Sequence, residues 1–218
     1  MTTAILCVHD NLTWLPEALS SIAFQNKPVD ELILVKSLQT PAAADDLAQK
    51  FGARILLQPA PGLAAARNHG IAAAAGDLIA FLDSDDFWER EKTEMQTGLL
   101  EVENLDAVIG CLVRFPGSGL AAKNFPEGHF GEAVQAMTPG GLLVRKSVFE
   151  KIGCFDPRYH IACDHEWFMR LTAANLNIRK TADVVLRKRI HGGNLSNQVA
   201  AYRQEIMQVL KNRGSCGI

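Results

Sequence analysis

Asp83, Ser84, Asp85 and Asp86 follow directly on Leu78-Ile79-Ala80-Phe81-Leu82. Five apolar residues in a row suit a strand covered on both faces, so the acids are expected at the carboxyl end of a central strand, where open α/β sheets bind ligands. On an extended chain, residues two apart point to one side, which would let Asp83 and Asp85 converge on a single hard cation. Mg²⁺ or Mn²⁺ typically takes one or two carboxylates and completes its shell with water and substrate phosphate oxygens. A bare Asp-x-Asp also serves as a solvated acidic turn, so the triplet needs its context.

Three further groups carry chemistry by type. Arg67 lies in the alanine-rich run Leu63 to Ala75 and offers a planar fork suited to phosphate or carboxylate. Asp164 and Glu166 open a helical stretch from Cys163 to Ala174, where acids also cap the first turn and complement the helix dipole. Arg189 and His191 end the basic run Arg187-Lys188-Arg189-Ile190-His191. That run equally suits a protected strand edge, and a lone histidine is as often structural as functional.

The elements that must position these residues alternate. Strands are predicted at Ala4–Val8, Glu31–Val35, Arg54–Leu57, Leu78–Leu82, Ala107–Val113, Gly141–Val144 and Val184–Ile190. Between them fall a helix opened by a cap at Thr13 and an early Pro16, a helix over Asp45–Phe51 ended by Gly52, and the Leu63–Ala75 helix closed by Gly76. Helices over Glu91–Glu103, Lys146–Ile152, Cys163–Ala174 and Ala200–Lys211 complete the set, and residues 114–139, rich in Gly, Pro and Phe, read as a loop over the ligand. Such alternation implies an α/β fold with a mostly parallel central sheet flanked by helices.

The chain has 218 residues, 48% of them hydrophobic and 21% charged, which suits one globular domain. Its net charge of -2 is unevenly spread: 6 Lys+Arg face 11 Asp+Glu over residues 1–90, against 16 and 13 over residues 91–218. An acidic first half suits a cation and a basic second half an anion, while no single-signed basic face marks DNA or RNA as a partner. Cys7, Cys111, Cys154, Cys163 and Cys216 have no paired short spacing, which argues against a zinc knot or a disulfide framework. No leader pattern and no apolar run of about 20 residues is present. The cytoplasm is the expected home, with at most peripheral contact at the inner face of the membrane.

Gly62-Leu63-Ala64-Ala65-Ala66-Arg67-Asn68-His69-Gly70-Ile71, followed by Gly76-Asp77-Leu78-Ile79-Ala80-Phe81-Leu82-Asp83-Ser84-Asp85-Asp86, resembles the signature of family 2 glycosyltransferases with the GT-A fold. The resemblance implies a Rossmann-like nucleotide-sugar-binding half over residues 1–90 and an acceptor-binding half over residues 91–218. It implies metal-dependent, inverting transfer of a sugar from a nucleotide-diphospho-sugar donor to a hydroxyl acceptor, a saccharide or lipid-linked saccharide. Asp85 is then the metal ligand, Asp83 a donor contact that also nears the metal, and Arg67 a further donor contact.

The stretch Gly141 to Asp156, leading into Cys163-Asp164-His165-Glu166, is similar to the acceptor side of that family, whose helix opens on an acidic pair with the second acid as base. An acceptor hydroxyl needs a carboxylate within reach to take its proton. Here Cys163 holds the first position, Asp164 the second, and Glu166 stands in reserve. Arg189-Ile190-His191-Gly192-Gly193-Asn194-Leu195-Ser196 resembles a further family pattern that sets Arg189 on the phosphates and His191 on the metal or the diphosphate. The usual Asp-Asp-Gly-Ser after the second strand is replaced by Lys36-Ser37-Leu38-Gln39, leaving Asp10 as the candidate acid beside the base. That departure motivates an alternative, a non-catalytic nucleotide-binding or scaffolding relative; a nucleotidyltransferase is a third reading.

Overall fold

The computed structural model describes residues 1–118, 125–126 and 128–215, without the side chains of Ser196 and residues 213–215. Cys216, and residues 119–124 and 127 of the expected loop, lie outside the described residues. Among the described residues nine strands form one sheet: β1 (Thr2–Val8), β2 (Glu31–Lys36), β3 (Arg54–Leu57), β4 (Leu78–Asp83), β5 (Phe87–Trp88), β6 (Ala107–Pro116), β7 (Ala133–Gln135), β8 (Leu142–Arg145) and β9 (Ile178–Ile190). Helices are α1 (Leu15–Ala23), α2 (Ala43–Lys50), α3 (Leu63–Ala73), α4 (Lys92–Val102), α5 (Lys146–Ile152), α6 (Cys163–Ala173) and α7 (Val199–Ser215).

The strand order is β3-β2-β1-β4-β8-β6-β9-β5, with β7 on the side of β6. β1 to β4 are mutually parallel, β8 runs against both β4 and β6, and β9 runs with β6. The carboxyl ends of β1, β2, β4, β6 and β9 therefore share one edge of the sheet. β5 follows β4 after three residues, yet it pairs with β9, the far strand of the second half. A chain that short forces the second half to curl round, carrying the end of β9 over the turn that follows β4.

Period-two alternation fills both faces. Leu6 and Leu82 enter one core with Leu15, Leu19 and Ile22 of α1, whereas Ile5 and Phe81 enter the other with Phe149 of α5 and Trp167 and Leu171 of α6. α3 lies close on β1 because Gly70 faces Ile5; a Cβ at residue 70 would stand 2.6 Å from Ile5 Cγ2. The one-turn spacing from Gly70 then fixes where Arg67 projects.

Four local expectations are corrected. Residues 114–139 are not one loop, since β6 runs on to Pro116 and β7 adds to its edge; β7 is a three-residue strand, too short for a periodic pattern to show. β9 begins six residues earlier than read, at Ile178, and only its second half has the buried positions that mark a strand. Gly76 does not cap α3, which ends at Ala73; its lack of a side chain admits Thr3 Oγ1 and the Met1 carbonyl, which would stand 2.6 and 2.8 Å from a Cβ at residue 76. Thr13 caps nothing: α1 starts at Leu15, and Asn11 instead accepts the Thr13 N–H. Among the described residues no helix is long and apolar enough to cross a membrane, and Cys7, Cys111, Cys154 and Cys163 are free thiols.

Candidate active site

Arg67 sits at the centre. Its side chain is only 1% exposed, one nitrogen donating to Asp83 Oδ1 at 2.8 Å and the other forming an ion pair with Asp164 Oδ1. Asp83 ends β4 and Asp164 opens α6, so one guanidinium joins two carboxylates 81 residues apart that remain 25% and 21% exposed. The Phe155 ring lies 5.4 Å below the guanidinium. Asn68 holds that ring's backbone in place, its amide donating to the Phe155 carbonyl at 2.8 Å and accepting from the Phe155 N–H at 3.0 Å. Burial opposes the charge on Arg67, but Asp164 and Asp83 hold its proton more firmly than usual. Burial likewise pushes the Asp83 carboxyl up, and Arg67 with Lys188 outweighs it, leaving the group below the usual carboxylate range.

The acids do not follow an extended chain. After Asp83 the backbone turns, with the Asp86 N–H donating to the Asp83 carbonyl at 3.2 Å. Asp85 therefore meets partners different from those of Asp83: His191 Nε2 at 2.8 Å and the Asn194 amide at 3.2 Å. The Gly193 N–H donates to His191 Nδ1 at 3.1 Å, so the imidazole proton belongs on Nε2, facing Asp85. Trp14 packs on the other side of the ring, with centroids 4.5 Å apart.

Asp86 explains why β9 closes over this turn, a role the residue pattern did not reveal. It is 2% exposed, accepts the Arg189 N–H at 2.7 Å and pairs with Lys188 at 3.2 Å. Burial pushes the Asp86 carboxyl up to about 7 against the pull of Lys188, with the charges of Asp85 and Asp83 adding to the rise. Burial opposes the Lys188 charge in turn, but Asp86, Asp83 and Asp85 together raise its affinity for a proton. The sequence signal for this clamp was present, as a third acid after the Asp-x-Asp and a lysine before Arg189, but the two lie 102 residues apart.

Arg189 is taken up by the protein itself. Its Nε donates to the Asp85 carbonyl at 2.9 Å, its tip pairs with Glu17 of α1, and Phe115 and Trp14 flank the guanidinium at 4.5 and 5.1 Å. Glu166 is occupied too: both of its oxygens bind Arg170 at 2.7 Å, and Arg170 also donates to the carbonyls of Ile152, Gly153 and Cys154. Asp10 is exposed with no hydrogen bond or ion pair among the described residues. It adjoins His9, which lines a depression of about 170 Å³ with Leu38, Gln39, Gln58, Pro59 and Gly62. Lys36, standing where an acid was expected, pairs with Asp45 at 2.6 Å.

A divalent ion fits this donor set in a limited way. A carboxylate oxygen and an imidazole nitrogen 2.8 Å apart, both reachable from solvent, suit Mn²⁺ or Mg²⁺ by hardness. Among the described residues no three His, Cys, Asp or Glu side chains gather for a metal. Remaining positions on an ion at Asp85 and His191 would have to come from water and ligand oxygens.

A sheet of this order with acids at the carboxyl end of β4 is the architecture of GT-A glycosyltransferases. Crystal structures of Staphylococcus aureus TarS superpose with a TM-score of 0.69, one of them in complex with UDP-GlcNAc at 18% identity over 90% of this chain and 60% of that one. Glucosyl-3-phosphoglycerate synthase from Mycobacterium tuberculosis, in complex with Mn²⁺, UDP and phosphoglyceric acid, superposes with a TM-score of 0.68 at 20% identity, covering 100% of this chain and 79% of that one. The sequence model of Glycosyl transferase family 2 matches residues 3–175, and the chain belongs to that family. The putative teichuronic acid biosynthesis glycosyltransferase TuaG of Bacillus subtilis is 28% identical over 199 residues, 87% of this chain and 73% of its own. An uncharacterized glycosyltransferase of Rickettsia felis is 32% identical over 109 residues, 47% of this chain but only 17% of its own.

Proposed function

We propose that this enzyme transfers a sugar from a nucleotide-diphospho-sugar to a hydroxyl acceptor with inversion, and that Asp164 is the base. The observation that carries the reading is the single buried guanidinium of Arg67 holding Asp83 and Asp164 at one point between the two halves. A donor bound at the end of β4 would present its anomeric carbon beside the helix that carries Asp164. Oδ1 of Asp164 accepts from Arg67 and, at 3.5 Å, from the Cys163 thiol, which burial keeps protonated. Oδ2 is left to take the acceptor's proton.

Asp85 and His191 are the residues proposed to hold Mn²⁺ or Mg²⁺, and such an ion supplies charge stabilisation for a departing diphosphate. Ligation through Nε2 would need the neutral tautomer with its proton on Nδ1, so the Gly193 N–H would have to release that nitrogen. Arg189 orients the turn through the Asp85 carbonyl, and no phosphate contact is proposed for it. The donor's base is proposed to sit in the depression beside His9, with Asp10 at its rim. The nucleotides bound by the structural relatives, UDP-GlcNAc and UDP, make uridine nucleotides the first to test. The acceptor is proposed as a saccharide or a lipid-linked saccharide.

Direct displacement by a hydroxyl, aided by one base, leaves no covalent sugar intermediate and inverts the anomeric centre. Asp164→Asn is expected to lower transfer from a panel of nucleotide sugars with Mn²⁺ by about 100-fold or more, the scale of general base catalysis. Full transfer by the folded variant would remove Asp164 from the role. The alternative of a non-catalytic relative draws on Lys36, whose pairing with Asp45 leaves no acid at the end of β2 to read a base. It predicts nucleotide binding without transfer by the wild-type chain.

A further inference from the structure

The ion pairs at Arg67 have a consequence beyond holding two side chains in place. The resting cluster contains one cation and two carboxylates, so the guanidinium's charge is divided between the donor side, through Asp83, and the acceptor side, through Asp164. The guanidinium is 1% exposed, so the bridge between the carboxylates is dry although Asp83 and Asp164 keep 25% and 21% exposure toward the cleft. Through a buried guanidinium, a change of charge at one carboxylate alters the field at the other more than it would between two fully solvated groups. The aromatic floor at Phe155 and the Asn68 latch prevent Arg67 from swinging away.

We infer that Arg67 is a positioning residue that transmits the neutralisation of Asp164 to the diphosphate side of the site. The inference rests on the proposed function. As the acceptor oxygen forms its bond to the anomeric carbon, its proton passes to Asp164 Oδ2. The electron pair of the breaking carbon–oxygen bond leaves with the diphosphate. Asp164, now neutral, pulls less on Arg67, whose charge then bears on Asp83 and the diphosphate while the latter is gaining negative charge. Proton acceptance at one end is thus matched by anion stabilisation at the other, with no side chain moving between them.

Asp164→Asn imitates the neutral state in shape and charge, which makes the idea measurable without turnover. The probe is whichever of UDP, GDP, dTDP and CDP binds the wild-type chain most tightly in Mn²⁺, followed by calorimetry. Asp164→Asn is expected to bind that nucleotide about 5-fold tighter or more, the size of an ordinary coupling between sites. In backgrounds carrying Arg67→Lys or Arg67→Gln the same substitution should change affinity by no more than about 2-fold, as for independent sites. Lysine keeps the charge but loses the fork needed to grip two carboxylates, and glutamine removes the charge. Two backgrounds guard against one failing to fold.

Unchanged or weaker nucleotide binding by Asp164→Asn overturns the inference. Equal tightening in all three backgrounds also overturns it, because the charge would then act through space without Arg67. A wild-type chain that binds none of the four nucleotides overturns the donor reading itself, and this inference with it. Transfer is scored separately: an Asp164→Asn variant that transfers normally removes the base reading whatever the binding cycle gives.

Discussion

At the scale of single residues, the two acids of α6 separate cleanly. Asp164 has one oxygen tied and one open, whereas Glu166 is closed on Arg170 by two bonds of 2.7 Å. Arg170 in turn fastens the turn after α5 through the carbonyls of Ile152, Gly153 and Cys154. Glu166→Gln is therefore expected to keep transfer within a few-fold of wild type while lowering stability by about 1–3 kcal/mol, the usual cost of a lost charged hydrogen bond. Activity assay and thermal unfolding side by side would check it; a collapse of transfer with stability intact would return Glu166 to the reaction. The placement of Asp83 and Asp85 at the end of β4 was legible in the sequence because a local signal, an apolar run ending in a charged turn, marks it. Arg67's partners were not legible, since nothing in an alanine-rich helix states which of two carboxylates, 16 and 97 residues away, will meet it.

At the scale of elements, α7 is a strut for the start of α6, the proposed acceptor side. Glu205 accepts the backbone N–H groups of His160, Ile161 and Ala162 at 3.1, 2.9 and 2.8 Å, just before α6 begins. The helix is held to this face by the buried Val209 and by Asn212, which donates to the Tyr159 hydroxyl at 2.9 Å. Glu205→Ala should cost about 1–2 kcal/mol, since water can reach part of the freed backbone. It should also raise the acceptor's KM more than the donor's, because the donor side is built on β4 and β9. Equal effects on both constants would refute that division. Helices α3, α4 and α6 could be read from the chain because each runs for 11 residues; β5 and β7, at two and three residues, exist only because β9 and β6 offer them an edge.

At the scale of the whole molecule, the sheet leaves one cation in an awkward place. Lys92, 1% exposed at the start of α4, donates to Gln96 Oε1 at 2.5 Å and the Leu142 carbonyl at 3.1 Å and lies 5.0 Å from the Trp88 ring, with no carboxylate among its described partners. Burial pulls its ammonium from an ordinary 10.5 down to about 7. Between those two values the unfolded chain holds a proton that the folded chain has released, so the contribution of Lys92 to stability rises with pH from about 7 toward 10.5 and is constant below 7. Lys92→Met should flatten that rise in a series of thermal melts, because the titrating group is gone while most of its volume is kept. A slope that persists in the variant assigns it elsewhere.

The path of the chain through the sheet also sets when the enzyme becomes competent during synthesis. Residues that grip the Asp85 turn, from Lys188 to Asn194, are made more than a hundred residues after it. A nascent polypeptide can build the parallel strands and pair Asp83 with Arg67 early, yet Asp85 and Asp86 gain their partners only when β9 has left the ribosome and slotted into place. Unfinished chains would thus be poor consumers of activated sugar.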